Sequence, residues 1–507
     1  MKKRAVPAAL TLSALLLSVL LGACAGKEKH EIVPFGNEFE VDTPQDWRSG
    51  DLDSGKLVVN ETKGGGSVEL KAGETEAVYT SMEIAMPAFD YLVMSWNADA
   101  PEGTWVEVTA SAYLADPEKA RWSDYASWGK WSPFIKRASY NTEGADFGVY
   151  SDEMAIWGSP AEGKAADKVR LKVTLHRDSA ETESPVLWYL HGTVRNSDEQ
   201  NTVKVFQDGL ASDALAAQTC EVEVPQYSQI VRSPNMGNVI CNPTTTAMLL
   251  NSVSALGGAP LDLLPEEVAM GCFDFRNNSF GNWAYAMATA GSYGYRSYVD
   301  YSSVEGVKRH LLSGHAVGAS VAYSDNPKDP DYLENAYGST PGHLIVLRGF
   351  TTIDGVDYFI SNDAYNPTNG EVRKLYRVDQ FEKVWSRNTI YVVEQGKVEG
   401  VGNHPVQRVE AELQRAEAGK YAIKTSDGTE ITIPQANGMY NSLHGFVAYT
   451  TEPEVFAGAD TSVYSYVNIL ANSGSALPLA DDVTANPAFK LYLANNDAYT
   501  GKLFVVN

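Results

Sequence analysis

Short alternating runs of apolar and polar residues fill the chain from about Asp51 to Val205, as in TWVEVTASAYL, KVRLKVTLHR and VLWYLHGTV, with Gly, Asp, Asn and Pro between them. Period-two alternation turns one side-chain face toward a core, so this turn density predicts strands packed as a β-sandwich over 51–205. The period changes near residue 241. Ala247, Met248, Leu249 and Leu250 continue as an apolar helical run toward a Gly257-Gly258 stop, and Pro243 fits the first helical position, where its missing N–H costs nothing. Loop and helical segments follow from Leu264 to Ala290, then strands from Gly294, a helical period from Ser303 to Ser313 and a continuous apolar strand from Ala316 to Tyr323. After Val393 the chain turns polar at EQGKVEGVGNHPVQ, which reads as a linker, and strands return from Glu410 to Asn507. The pattern is that of a multidomain α+β protein: the sandwich, a central domain over 221–398, and a small β domain over 405–507.

Length agrees with this division, because 507 residues are too many for one core and suggest about three domains of roughly 100 to 200 residues each. Sixty-four acidic residues against 40 basic ones give a net charge of −24. That surface argues against nucleic acid as a partner and suits a protein working outside the cytoplasm.

The start, MKKRAVPAALTLSALLLSVLLGAC, sets three basic residues before a short apolar run. Leu21-Gly22-Ala23-Cys24 resembles a bacterial lipoprotein cleavage box. The expectation is a removed signal over 1–23, a lipid on Cys24, and a protein held on the extracellular face of the membrane by that lipid alone. Gly26 to about Gln45 is polar and without period, so 24–50 is expected to be a tether.

Cysteines stand at 24, 220, 241 and 272. Cys241 is the one with a chemical reason for its place. At a helix N-terminus the unpaired N–H groups and the positive end of the dipole favour thiolate over thiol, and can bring a thiol from about 8.5 into the range of roughly 3.5 to 7.5. Cys220 and Cys272 remain as the pair that a disulfide would need, and spacing alone leaves both outcomes open.

A nucleophilic cysteine needs a base, a group to orient that base, and donors for the oxyanion. VPQYSQ before Cys241, Pro243 two residues after it, GNWAYAMATAGSYGYRSYV from Gly281, LLSGHAVGASVAY from Leu311, GHLIVLRGF from Gly342 and SND from Ser361 occur in the order found in the bacteriocin-processing cysteine peptidases and their secreted relatives. The stretch from about Val224 to Val393 resembles that family. The resemblance implies a papain-like α+β domain acting on a peptide or protein substrate, with Cys241 as nucleophile, His343 as base, Asp363 as the group orienting it and Gln229 as side-chain oxyanion donor, and no cofactor or metal. Gln226 is a second amide three residues before Gln229, so either can serve the oxyanion. Two positions depart from the family pattern: Asn242 stands where relatives have Gly or Ser, and Ala364 where they have Pro.

The hairpin carrying His343 and Asp363 has its own arithmetic. With Asp354-Gly355 as a two-residue turn, Ile353 faces Val356, and an unbroken ladder pairs Asn362 with Leu347. That puts Asn362 on the face of His343, whereas one bulge brings Asp363 round. The resemblance favours Asp363.

Trp122, Trp128 and Trp131, in a segment resembling the module that precedes the peptidase in secreted relatives, are either sandwich core or a platform for a glycan or peptide. Trp283 is expected to shape the pocket wall. His176, His191, His310 and His315 read as structural or exposed, and His404 and His444 lack the company a metal site needs. The rival to a surface-anchored cysteine hydrolase is a lipid-anchored binding protein whose peptidase-like domain is inactive and whose β domains hold a glycan or peptide.

Overall fold

The computed structural model describes residues 30–404, except 117, 141, 158–162, 199–213, 216–217, 231–237 and 278, and beyond 404 six strands between 407 and 506. The signal segment, Cys24 and His444 lie outside the described residues.

Two antiparallel sheets, of eight and six strands among the described residues, form the sandwich. Strand Thr104–Leu114 buries every second residue, which is what its alternation predicts for one buried face. Two neighbouring strands of the larger sheet, β1 (Tyr91–Asp99) and β2 (Val186–Arg195), are instead buried along almost their whole length. Their second face meets the central domain.

The sandwich begins before residue 51. Strand Glu38–Val41 pairs with β2, and helix Pro44–Ser49 carries the buried Trp47 and is closed by a capping box of Thr43 and Asp46. Residues from 38 onward therefore belong to the domain and not to a tether, because four alternating residues are too few to stand out from a polar segment. Trp128 and Trp131 are fully buried in the core, and Trp122 packs edge-on to Tyr113 with Arg170 over its ring. These three tryptophans do not form an open platform.

In the central domain, α1 (Cys241–Leu256) lies between helix Pro265–Cys272, α2 (Trp283–Ser292) and a sheet. The sheet runs β3 (Ser297–Tyr301), β8 (Trp385–Val393), β4 (Val317–Tyr323), β5 (Thr340–Ile353), β6 (Val356–Asn362) and β7 (Arg373–Arg377), all pairs antiparallel, with Cys220–Glu221 added to β5. Thr245 anchors α1 to this sheet by donating to the Leu344 carbonyl at 3.1 Å. The helix starts at Cys241 itself, with Pro243 third and not first in the helical turn. Cys220 and Cys272 are free thiols, and no disulfide joins them.

Strand β3 is an edge, and its outward backbone groups are met by side chains of the sandwich. The amides of Val299 and Tyr301 donate to Ser95 Oγ at 2.9 Å and Thr193 Oγ1 at 3.3 Å, and the Tyr301 carbonyl accepts from Asn37 at 3.2 Å. An open strand edge would otherwise recruit another chain. Gly291 in α2 permits the approach, because a Cβ there would stand 2.6 Å from the Asn97 side chain.

Beyond residue 404 the six strands form one antiparallel sheet in which 407–417 lies between 420–425 and 491–496.

Candidate active site

The site lies where the N-terminus of α1 meets β5 and β6. Backbone amides of Asn242 and Leu344 point at the Cys241 sulfur, and the thiol is hydrogen-bonded to His343. Burial by itself raises a thiol, but here the His343 hydrogen bond and charge, with those two amides, outweigh it and hold Cys241 below its usual range. His343 is buried and turns its Nε2 to Asp363 Oδ1 at 2.9 Å, which leaves Nδ1 for the sulfur. Burial opposes its protonation, yet the Asp363 charge and the contacts with Asp363 and Cys241 raise it to about 10. Asp363 is fully buried, which would lift its carboxyl, but His343 and two tyrosine hydroxyls bring it below the ordinary carboxylate value.

One missing pairing puts Asp363 on this face. The ladder is regular from Ile353↔Val356 to Gly349↔Ile360 and then resumes at Leu347↔Ser361, skipping Arg348. Leu347 and Ser361 share the face of His343, so Asp363 joins them, whereas Asn362 pairs with Val346 on the opposite face. The bulged Arg348 has a function of its own. Its guanidinium donates to the carbonyls of Val222 and Val224 at 3.1 Å each, and Asn362 donates to Pro225 at 3.0 Å, tying the segment before Gln229 to the hairpin.

Gln229 is buried, and its backbone N–H donates to the Ala364 carbonyl at 2.9 Å, one residue past Asp363. Gln226 is half-buried in the same segment. Ala364 takes the place of the family's proline without loosening the strand end: the Asp363 amide donates to Val372 at 2.8 Å and Asn366 donates to the Asp363 carbonyl at 2.9 Å. Asn242 does not project over the thiol. It is fully buried, and its amide donates to the carbonyls of Phe280 at 2.7 Å and Asn282 at 3.2 Å. Asn282 caps α2 by accepting from Tyr285, and the next amide, Trp283, donates to Asp152 of the sandwich at 3.0 Å.

Sequence reasoning did not single out the tyrosines around the pair. Tyr323 and Tyr376 donate to Asp363 Oδ2 at 2.9 and 2.6 Å, and the Tyr365 ring stands edge-on to His343 at 6.1 Å. Tyr323 lies two residues past Val321, the partner of His343 in the ladder, a pairing that only the folded sheet shows. The remaining histidines have other company. His191 is buried against Tyr298 and Glu38, His176 stacks on Trp105, and His404 stacks on Tyr293. Among the described residues no cluster of three or more His, Cys, Asp or Glu side chains could hold a metal ion.

A half-buried cysteine at a helix N-terminus, bonded to a histidine that a buried carboxylate holds, is the arrangement of a cysteine peptidase. Residues 221–391 match the model of the peptidase C39-like family, and residues 38–194 match that of the peptidase C39 N-terminal domain. The two matches, in this order along the chain, support a member of the peptidase C39-like family. Among solved structures it is distantly similar to papain-like peptidases. Digestive procathepsin L 3 of Tenebrio molitor larval midgut is 11% identical with a TM-score of 0.27, over 37% of this chain and 71% of that one. Procathepsin B S9 from Trypanosoma congolense is 12% identical with a TM-score of 0.25, over 39% and 87%. A structure from work on the mite allergens Blo t 1 and Der p 1 is 14% identical with a TM-score of 0.27, over 38% and 75%. No curated protein matches the chain.

Proposed function

We propose that this chain is an extracellular cysteine peptidase or related amide hydrolase that uses Cys241, His343 and Asp363 as a triad, held at the membrane by a lipid on Cys24. The observation carrying the reading is the buried Nε2 to Oδ1 bond of 2.9 Å on a histidine that is also hydrogen-bonded to the Cys241 thiol. In the resting pair the thiol proton sits on His343. The thiolate attacks the carbonyl carbon, and the Cys241 amide and Gln229 hold the oxyanion. His343 then passes its proton to the leaving amine as the C–N bond breaks. Water, giving a proton to His343, attacks the thioester, and the acid departs as the C–S bond breaks and the thiolate–imidazolium pair is restored.

The test is a peptide-library cleavage profile with Cys241→Ala as blank. Cleavage by the wild type that the variant lacks supports the reading, and equal cleavage by both, with contaminating enzyme excluded, moves the site elsewhere. The anchor has a separate test. Mass spectrometry of the mature N-terminus is expected to find a diacylglyceryl-modified Cys24, and an unmodified terminus at another residue ends the lipoprotein reading.

A further inference from the structure

Asp363 receives four hydrogen bonds, two on each oxygen. His343 Nε2 and the Tyr365 amide donate to Oδ1 at 2.9 and 3.0 Å, and the hydroxyls of Tyr323 and Tyr376 donate to Oδ2 at 2.9 and 2.6 Å. A carboxylate offers about four lone-pair sites, so this one is full. It is also fully buried, so bulk water does not share the load. The two hydroxyls come from β4 and β7, the strands flanking the β5–β6 hairpin, and converge on one atom from opposite sides. We propose that Tyr323 and Tyr376 are positioning residues of the triad, whose hydroxyls draw charge from Asp363 and so limit how tightly it holds the proton on His343.

The inference rests on the triad read above, and adds a requirement that the triad alone leaves unmet. The imidazolium must be stable enough to keep Cys241 a thiolate, yet acidic enough to release its proton to a leaving amine. A buried carboxylate with only two donors would serve the first need and work against the second. Spreading its charge over two phenols lowers its hold on the imidazolium without removing the negative charge. Both phenols stay protonated, and so remain donors, because burial and the Asp363 charge push their ionisation upward. Packing alone does not account for hydroxyls here. Tyr376 faces Phe359 in the ladder, and Phe359 and Phe381 show that phenyl rings fill this core. The titratable groups facing the pair are Cys241 from α1, Tyr323 from β4, Tyr376 from β7 and Tyr365 from the loop after β6, with Tyr391 of β8 facing Cys241.

The test uses Tyr323→Phe, Tyr376→Phe and the double variant in the full chain. One measurement is the pH window over which iodoacetate labels Cys241, and the other is turnover of matched amide and ester substrates found with the wild type. Without the hydroxyls, Asp363 holds the imidazolium more tightly. The labelling window is then expected to widen by about one pH unit in the double variant, since a charged hydrogen bond is comparable to a shift of that size. Amide turnover is expected to fall several-fold, about 3- to 10-fold, while ester turnover, which depends less on proton donation, stays near wild type. An unchanged or narrower window, or amide and ester turnover falling together, overturns the proposal and leaves the tyrosines as packing. If the double variant does not fold, the single variants carry the same test with smaller shifts of the same sign. Wild-type labelling no faster than that of a free thiol overturns the triad reading itself, and this inference with it.

Discussion

Asn97 and Ser297 exchange three hydrogen bonds across the seam between the sandwich and the peptidase domain. The Asn97 amide donates to the Ser297 carbonyl at 2.9 Å and to its hydroxyl at 3.1 Å, and the Ser297 amide donates to Asn97 Oδ1 at 2.9 Å. A side-chain amide thus stands in for a neighbouring strand at the edge of the peptidase sheet. The two domains also share apolar surface: Val93, Trp188 and Tyr189 of the sandwich belong to the peptidase core, and Ala284, Tyr285 and Ala288 of α2 belong to the sandwich core.

Asn97→Ala strands a buried amide and a buried carbonyl of Ser297, at about 1–3 kcal/mol for each group. The expected loss is roughly 2–4 kcal/mol in denaturant unfolding, with both domains still melting in one transition because their cores are continuous. Two separated transitions would show that the seam does not couple them.

Asp363→Asn removes the charge that stabilises the imidazolium, so Cys241 alkylation at neutral pH is expected to slow by about 10-fold or more and to begin at higher pH. Asn362→Ala, on the opposite face, is expected to leave the labelling profile nearly unchanged while costing about 1–3 kcal/mol through its lost bond to Pro225. The reverse ranking would sink the assignment of Asp363.

Stability against pH gives a third test. The resting thiolate–imidazolium pair carries as many protons as the neutral pair of the unfolded chain between about 6.5 and 9, so the wild type is expected to show little slope there from these residues. Cys241→Ala exposes the histidine. Its proton affinity stays raised by Asp363, so its stabilisation is complete below the ordinary 6.5 and is lost as pH rises through the folded value. Asp363, depressed in the fold, contributes above 3.8 and loses that contribution as pH falls further. Melting temperature in Cys241→Ala is therefore expected to fall from about pH 6.5 upward, and adding His343→Ala should flatten that decline. A slope that survives the second substitution assigns it to other groups.

Gly349→Ala tests the bulge. A Cβ at 349 would stand 2.4 Å from the Cys220 carbonyl and 2.9 Å from Glu221 Cα, so the short strand Cys220–Glu221 must leave β5. The expected cost is about 1–3 kcal/mol, with slower Cys241 labelling because the displaced segment leads to Gln229. Unaltered stability would mean that the strand yields freely.

Legibility in the sequence followed the reach of each signal. The alternation of Thr104–Leu114 and the apolar run after Cys241 are local, and both give the expected element, the helix starting two residues before the expected Pro243. Strands β1 and β2 looked like ordinary sandwich strands, because only the folded chain shows that their second face is covered. The Asp363 register was undecidable from turn length alone. The bulge at Arg348 is set by what its guanidinium reaches, the carbonyls of Val222 and Val224, more than 120 residues earlier. Asn242 was visible only as a departure from the family pattern, because its partners Phe280 and Asn282 are contributed by a distant loop. The Trp128 and Trp131 alternatives were settled by tertiary burial, which composition does not encode.

The side-chain closure of β3 also bears on how such proteins can be recombined. A domain joined by a linker can be exchanged for any other that folds, but this peptidase sheet is finished by Asn37, Ser95, Asn97 and Thr193, residues encoded more than a hundred positions before it. A graft of the C39-like half onto a foreign sandwich would inherit an open strand edge unless those four positions travelled with it. The smallest transferable unit of this protein is therefore the pair of domains, and chimaeras cut between residues 195 and 221 should succeed only among relatives that keep the same four side chains.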